Sequence, residues 1–111
     1  MEETSLILDD PLSTLVGTSI KKGITITFTG KLISRDKGVA KAKIVIYEAD
    51  RSYMKDDLMA SGEIKSNGTF SIDWEAKEMD WWDNSIEVYA KFGGAPAYKP
   101  STSKQYTFNI V

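Results

Sequence analysis

Gly68-Thr-Phe-Ser-Ile-Asp-Trp74, Ser85-Ile-Glu-Val-Tyr-Ala-Lys-Phe-Gly-Gly94 and Gln105-Tyr-Thr-Phe-Asn-Ile-Val111 are the three runs that decide the fold. Each puts an apolar side chain at every second position. The sets are Phe70, Ile72 and Trp74, then Ile86, Val88, Ala90 and Phe92, then Tyr106, Phe108 and Ile110. A period of two belongs to a strand with one face on a core. The punctuation agrees: Asn67-Gly68 accepts the positive φ angles of a tight primed hairpin turn, and Gly93-Gly94 ends the second run.

The same pattern extends toward the N-terminus. Ile24-Thr-Ile-Thr-Phe28-Thr-Gly-Lys-Leu32 puts Ile24, Ile26, Phe28 and Leu32 on one face and Thr25, Thr27 and Thr29 on the other, with Gly30 marking a bulge. Arg35-Asp36-Lys37-Gly38 is a turn between neighbouring strands. The run from Val39 to Glu48 reads as one strand, with Ala40, Ala42, Ile44 and Ile46 inward and Lys41, Lys43, Val45 and Tyr47 outward. Its two lysines would discourage edge-to-edge pairing. Leu58 to Lys65 is a weaker strand. Thr4 to Leu8 is a short one, closed by Asp9-Asp10-Pro11, and Leu12 to Val16 is a short continuation. No stretch keeps a helical period. About seven antiparallel strands with turn signals roughly every 8–12 residues predict an all-β sandwich of two sheets.

A chain of 111 residues, 41% hydrophobic and 27% charged, suits one domain with its own core. The net charge of −2 offers no basic field for nucleic acid. There is no cysteine, hence no disulfide, thiolate nucleophile or zinc–thiolate site. There is no histidine, which removes the usual general base and the commonest transition-metal ligand. No reaction and no cofactor are therefore expected. No apolar run is long enough to span a bilayer, so membrane insertion by this segment is not expected. Met1-Glu-Glu does not open a signal peptide, and the chain starts and finishes close to apolar runs. Residues 1–111 read as one domain cut from a longer chain, with Met1 supplied by cloning and any signal or anchor lying elsewhere.

Gly23-Ile-Thr-Ile-Thr-Phe-Thr-Gly-Lys-Leu followed by Gly38-Val-Ala-Lys-Ala-Lys-Ile-Val-Ile-Tyr resembles the opening of prokaryotic immunoglobulin-like repeat domains. Asn67-Gly-Thr-Phe-Ser-Ile-Asp-Trp resembles their glycine-x-phenylalanine hairpin. Ile86-Glu-Val-Tyr-Ala-Lys-Phe-Gly-Gly with Tyr98-Lys-Pro-Ser-Thr-Ser resembles their final hairpin. The likeness covers nearly the whole chain and is to modules of archaeal and bacterial cell-surface and S-layer-associated proteins. It implies an immunoglobulin-like β-sandwich acting outside the cell as a spacer, adhesion or protein-interaction module without a catalytic centre. Its partners would be neighbouring domains of the same chain, a surface protein or a glycan. Two places depart from the pattern: the neutral loop Gly93 to Tyr98, and a long aromatic stretch before Ser85.

That stretch, Asp73-Trp-Glu-Ala-Lys-Glu-Met-Asp-Trp-Trp-Asp83, holds all three tryptophans and five carboxylates. Trp74 alternates with Phe70 and Ile72 and is expected in the core. Trp81 and Trp82 are adjacent and cannot both face inward on an extended segment. Either they cap the end of the sandwich, or they form a carbohydrate platform with Asp80, Asp83 and Tyr98, rings stacking on a sugar while acids accept its hydroxyls. Asp80 and Asp83 with Asp73, Glu75 or Glu78, or the pairs Asp56-Asp57 and Asp9-Asp10, could supply some of the six to eight oxygens that calcium takes. None shows regular calcium-loop spacing, so no metal site is assigned.

Overall fold

The computed structural model describes residues 2–9, 19–20, 23, 25–35, 37–39, 41–49, 57–75 and 85–110. Among them the chain forms ten strands and no helix. Seven strands have four or more residues: β1 (Ser5–Leu8), β3 (Thr25–Ser34), β5 (Lys43–Glu48), β6 (Asp57–Glu63), β7 (Thr69–Glu75), β8 (Ser85–Phe92) and β10 (Tyr106–Ile110). Three have two residues: β2 (Ser19–Ile20), β4 (Lys37–Gly38) and β9 (Ser101–Thr102). One sheet holds β1, β3, β4 and β7, with β3 at its centre. The other runs β2-β10-β8-β5-β6, with β9 also on β8. All pairings are antiparallel except that of β2 with β10, which is parallel.

The alternation that predicted the strands also builds the core. Along β3, Ile26, Phe28, Leu32 and Ser34 are buried while Thr25, Thr27, Thr29 and Lys31 face outward. Phe28, Phe70, Phe92, Leu8, Leu32, Ile44, Ile46 and Val88 are the largest fully buried side chains and belong to one cluster between the sheets. Trp74 is half-buried, packs on that cluster and tilts against Phe28 at 6.3 Å between ring centroids. Ile24 and Leu12 to Val16 lie outside the described residues.

Four local expectations are corrected. Gly30 makes no bulge: it pairs in regular register with Leu8 on one side and Phe70 on the other. Its hydrogen leaves room for Phe70, since a Cβ there would collide with that ring and with the Ile7 carbonyl. The run from Val39 to Glu48 is not one strand. β4 pairs with β3, Lys41 turns in the left-handed region (φ 61°), and β5 then joins the other sheet. β5 is therefore interior, between β8 and β6, so its Lys43 guards no edge, and Lys41 lies before it at the crossing. Finally, Ser66-Asn67-Gly68 is a three-residue turn. Gly68 N–H donates to the Lys65 carbonyl at 2.9 Å, Lys65 N–H donates to that of Thr69 at 2.7 Å, and Gly68 has φ 84°. One positive φ followed by pairing is the geometry of a three-residue hairpin loop, not of a two-residue primed turn.

Candidate functional site

The crossing at Lys41 brings Lys41 and Ala42 beside the loop that follows β8. In that loop Ala95 and Tyr98 exchange two backbone hydrogen bonds of 3.1 Å across Pro96-Ala97, making a small hairpin. The N-terminal segment straps it: Glu2 N–H donates to the Ala97 carbonyl (2.9 Å) and Lys99 N–H to that of Glu2 (2.7 Å). Thr4 Oγ1 donates to the Lys99 carbonyl at 2.8 Å. The buried Ser34 Oγ, at the end of β3, reaches Glu2 Oε2 (3.1 Å) and the Glu3 carbonyl (2.9 Å). These bonds tie the loop after β8 of the larger sheet to the segment that leads into β1 of the smaller one. The ion pairs Arg35–Glu2 and Lys99–Glu3 (3.5 and 3.7 Å) are exposed and add little. Between the two loops lies a depression of about 320 Å³, bordered by Lys41, Lys43, Val45, Phe92, Gly93 and Ala95.

The second feature is the outward face of the larger sheet. Tyr47 of β5 is in register with Leu58 of β6 and with Tyr89 of β8, so the three side chains form a row across three strands. The tyrosine rings stack at 5.7 Å with 23° between their planes. Leu58 is 62% exposed. A bulge between Ile46 and Tyr47 sets this register. The outward face of the smaller sheet differs: Thr27 Oγ1 donates to Asp73 Oδ1 (2.7 Å) and Thr29 Oγ1 to Asp9 Oδ2 (2.9 Å), a wetted polar surface.

Of the site residues expected from the sequence, Asp80, Trp81, Trp82 and Asp83 lie outside the described residues, as do Asp10, Asp56 and Glu78. Tyr98 is described: it is half-buried and packs against the core cluster. Among the described residues no three acidic side chains gather as a metal site, and the sequence has no histidine or cysteine to add. Tyr47, Tyr89 and Leu58 were not singled out by the sequence. Tyr47 showed its outward direction, but the register that unites it with Tyr89 and Leu58 is a property of the sheet.

A model of the transthyretin-like family matches residues 29–110. The chain belongs to the transthyretin-like family. Transthyretin-like protein 5 of Caenorhabditis elegans is 33% identical over 75 residues, which are 68% of this chain and 51% of that protein. This transthyretin-like chain thus spans about half the length of that relative. The family is therefore not specifically that of prokaryotic surface repeats, and what the resemblance conveyed correctly is the sandwich. Among solved structures, superoxide reductase (neelaredoxin) from Ignicoccus hospitalis superposes with a TM-score of 0.60 and 6% identity over 98% of this chain and 80% of that one. Two single-site variants of the same protein match equally, with TM-scores of 0.60 and 0.59 over 99% of this chain. At that identity the likeness is one of fold.

It also corrects an expectation. No reaction was expected, from the lack of histidine and cysteine and from the resemblance to non-catalytic surface modules, yet enzymes have this architecture over nearly the whole chain. The sandwich is thus no argument against catalysis in this transthyretin-like protein.

Proposed function

We propose that this transthyretin-like chain is a protein-interaction module that works outside the cell or on its surface, engaging a partner protein through the outward face of its larger sheet. The row Leu58–Tyr47–Tyr89 carries this reading. A flat face suits a protein partner better than a small ligand, which is ordinarily held in a concavity. Its make-up follows interface anatomy: an apolar and aromatic centre with the exposed Lys43, Ser61, Glu63 and Lys91 around it. Tyrosine supplies a large rigid contact with a polar tip, at small cost in side-chain entropy. The surface location rests on the likeness of the strand-and-turn order to surface modules.

The test is saturable binding of fluorescently labelled protein to intact cells of the source organism. Unlabelled wild type should compete, while the double variant Tyr47→Ser/Leu58→Asp should compete at least tenfold less well, as for loss of a central anchor. Absence of saturable binding, or equal competition by the variant, would sink the proposal.

A further inference from the structure

We infer that the depression between residues 41–45 and 92–95 is a binding site for a small anion carried on an apolar body, its head a carboxylate or a phosphate group. The depression shares Lys43 and Val45 with the edge of the Tyr47 face, but small-anion binding there can be read whether or not that face binds a protein.

Charge is the first observation. Lys41 and Lys43 both border the depression, and among the described residues no carboxylate does. Both are exposed, and neither makes an ion pair among the described residues. Glu63 is in register with Lys43 across β5 and β6, yet makes no ion pair with it. Lys43 thus has only a carboxylate across the strand pair and no ion pair, and Lys41 has none among the described residues, which leaves both ammonium groups available to an anion.

Shape is the second. At about 320 Å³ the depression lies at the small end of ligand pockets. The rest of its border includes the half-buried Val45 and Ala95, whereas the Phe92 side chain, 2% exposed, lies in the core. A bare inorganic ion would leave Val45 and Ala95 unused, whereas an aryl or alkyl group would cover them.

Backbone is the third. Lys41 holds a left-handed conformation (φ 61°) that a lysine adopts only under constraint, and Gly94 opposite has φ 95°. A non-glycine residue persists there where the surroundings determine it, whereas Gly94 takes its φ at no steric cost. Gly93 borders the depression, and a Cβ there would meet no atom within 4 Å, so a side chain can be added at this edge without collision.

Amide chemical shifts of the intact chain, titrated with benzoate, phenyl phosphate, inorganic phosphate and benzyl alcohol, test this. Benzoate or phenyl phosphate should give saturable shifts at residues 41–45 and 92–95, with Kd on the order of 1 mM for a half-open site. The tighter of the two identifies the head group. Benzyl alcohol and inorganic phosphate should each bind at least about fivefold more weakly, lacking the charge or the apolar body. Lys41→Gln/Lys43→Gln should weaken binding about tenfold. Gly93→Val, which fills space without collision, should abolish it while shifts far from the site stay dispersed. Lys43→Gln alone, at an exposed strand position, serves should the double variant fail to fold. No saturable shift with either aryl anion, equal binding of benzyl alcohol, or undiminished binding by the lysine and Gly93 variants would overturn the proposal.

Discussion

Ser103 shows how one hydroxyl completes a sheet. β9 and β10 lie on the same side of β8 but are interrupted between Thr102 and Tyr106. Opposite the gap sits Ala90, which is fully buried and needs partners for its backbone. Ser103 supplies both: its N–H donates to the Ala90 carbonyl (2.9 Å), and its Oγ accepts from the Ala90 N–H (2.8 Å) while donating to the Lys104 carbonyl (2.9 Å). Ser103→Ala keeps the first bond and orphans the Ala90 N–H in the core. A buried unsatisfied donor costs about 1–3 kcal/mol, so urea unfolding should show the unfolding free energy reduced by that much, as a lower midpoint at unchanged slope. A variant as stable as wild type would mean that the hydroxyl is dispensable.

At the scale of elements, the turn after β6 is where β6 of the larger sheet passes to β7 of the smaller. Gly68 is buried with φ 84°, and a Cβ on it would collide with Gly38, so the two glycines are in backbone contact. Asn67 Oδ1 accepts from Thr69 N–H (3.2 Å) and Thr69 Oγ1 (2.6 Å), holding the turn from the other side. Gly68→Ala combines a disfavoured backbone conformation with a collision, and a loss of at least about 2 kcal/mol is expected in thermal or urea melts. The turn's existence was legible from Asn-Gly; its length was not, because a primed pair and a three-residue loop with a left-handed glycine use the same two letters. The strands were legible for a related reason: alternation of Ile26 and Phe28, or of Phe70 and Ile72, states which face is inward. Alternation does not say which sheet a strand joins, so the crossing at Lys41 and the interior place of β5 were hidden. The row Leu58–Tyr47–Tyr89 was hidden likewise, since it depends on a bulge and on register among three strands distant in sequence. Gly30 was misleading, because a glycine that admits a ring and a glycine that makes a bulge look alike in one dimension.

For the whole molecule, the two outward faces divide the work. The smaller sheet turns out Thr25, Thr27, Thr29, Lys31, Ser71, Asp73 and Glu75, all exposed, with Ile7 at 38% and the half-buried Ile33 as apolar neighbours. Water satisfies such a face, and its hydroxyl–carboxylate bonds are already made among its own residues. The larger sheet turns out Val45, Tyr47 and Tyr89 beside the exposed Leu58. An apolar cluster of this kind is what marks an interaction surface on a soluble domain. Neither face contributes to the core, which lies wholly between the sheets, so surface changes on both should be cheap: within about 0.5 kcal/mol where no special contact is cut. Matched variants separate surface from stability. Thr25→Lys/Ser71→Lys on the smaller sheet should leave binding to cells unchanged. Val45→Lys on the larger sheet should reduce it at least about fivefold. Both should melt close to wild type. Equal losses from the two variants, or a loss that tracks the melting temperature, would mean that binding depends on folding in general and not on the tyrosine face.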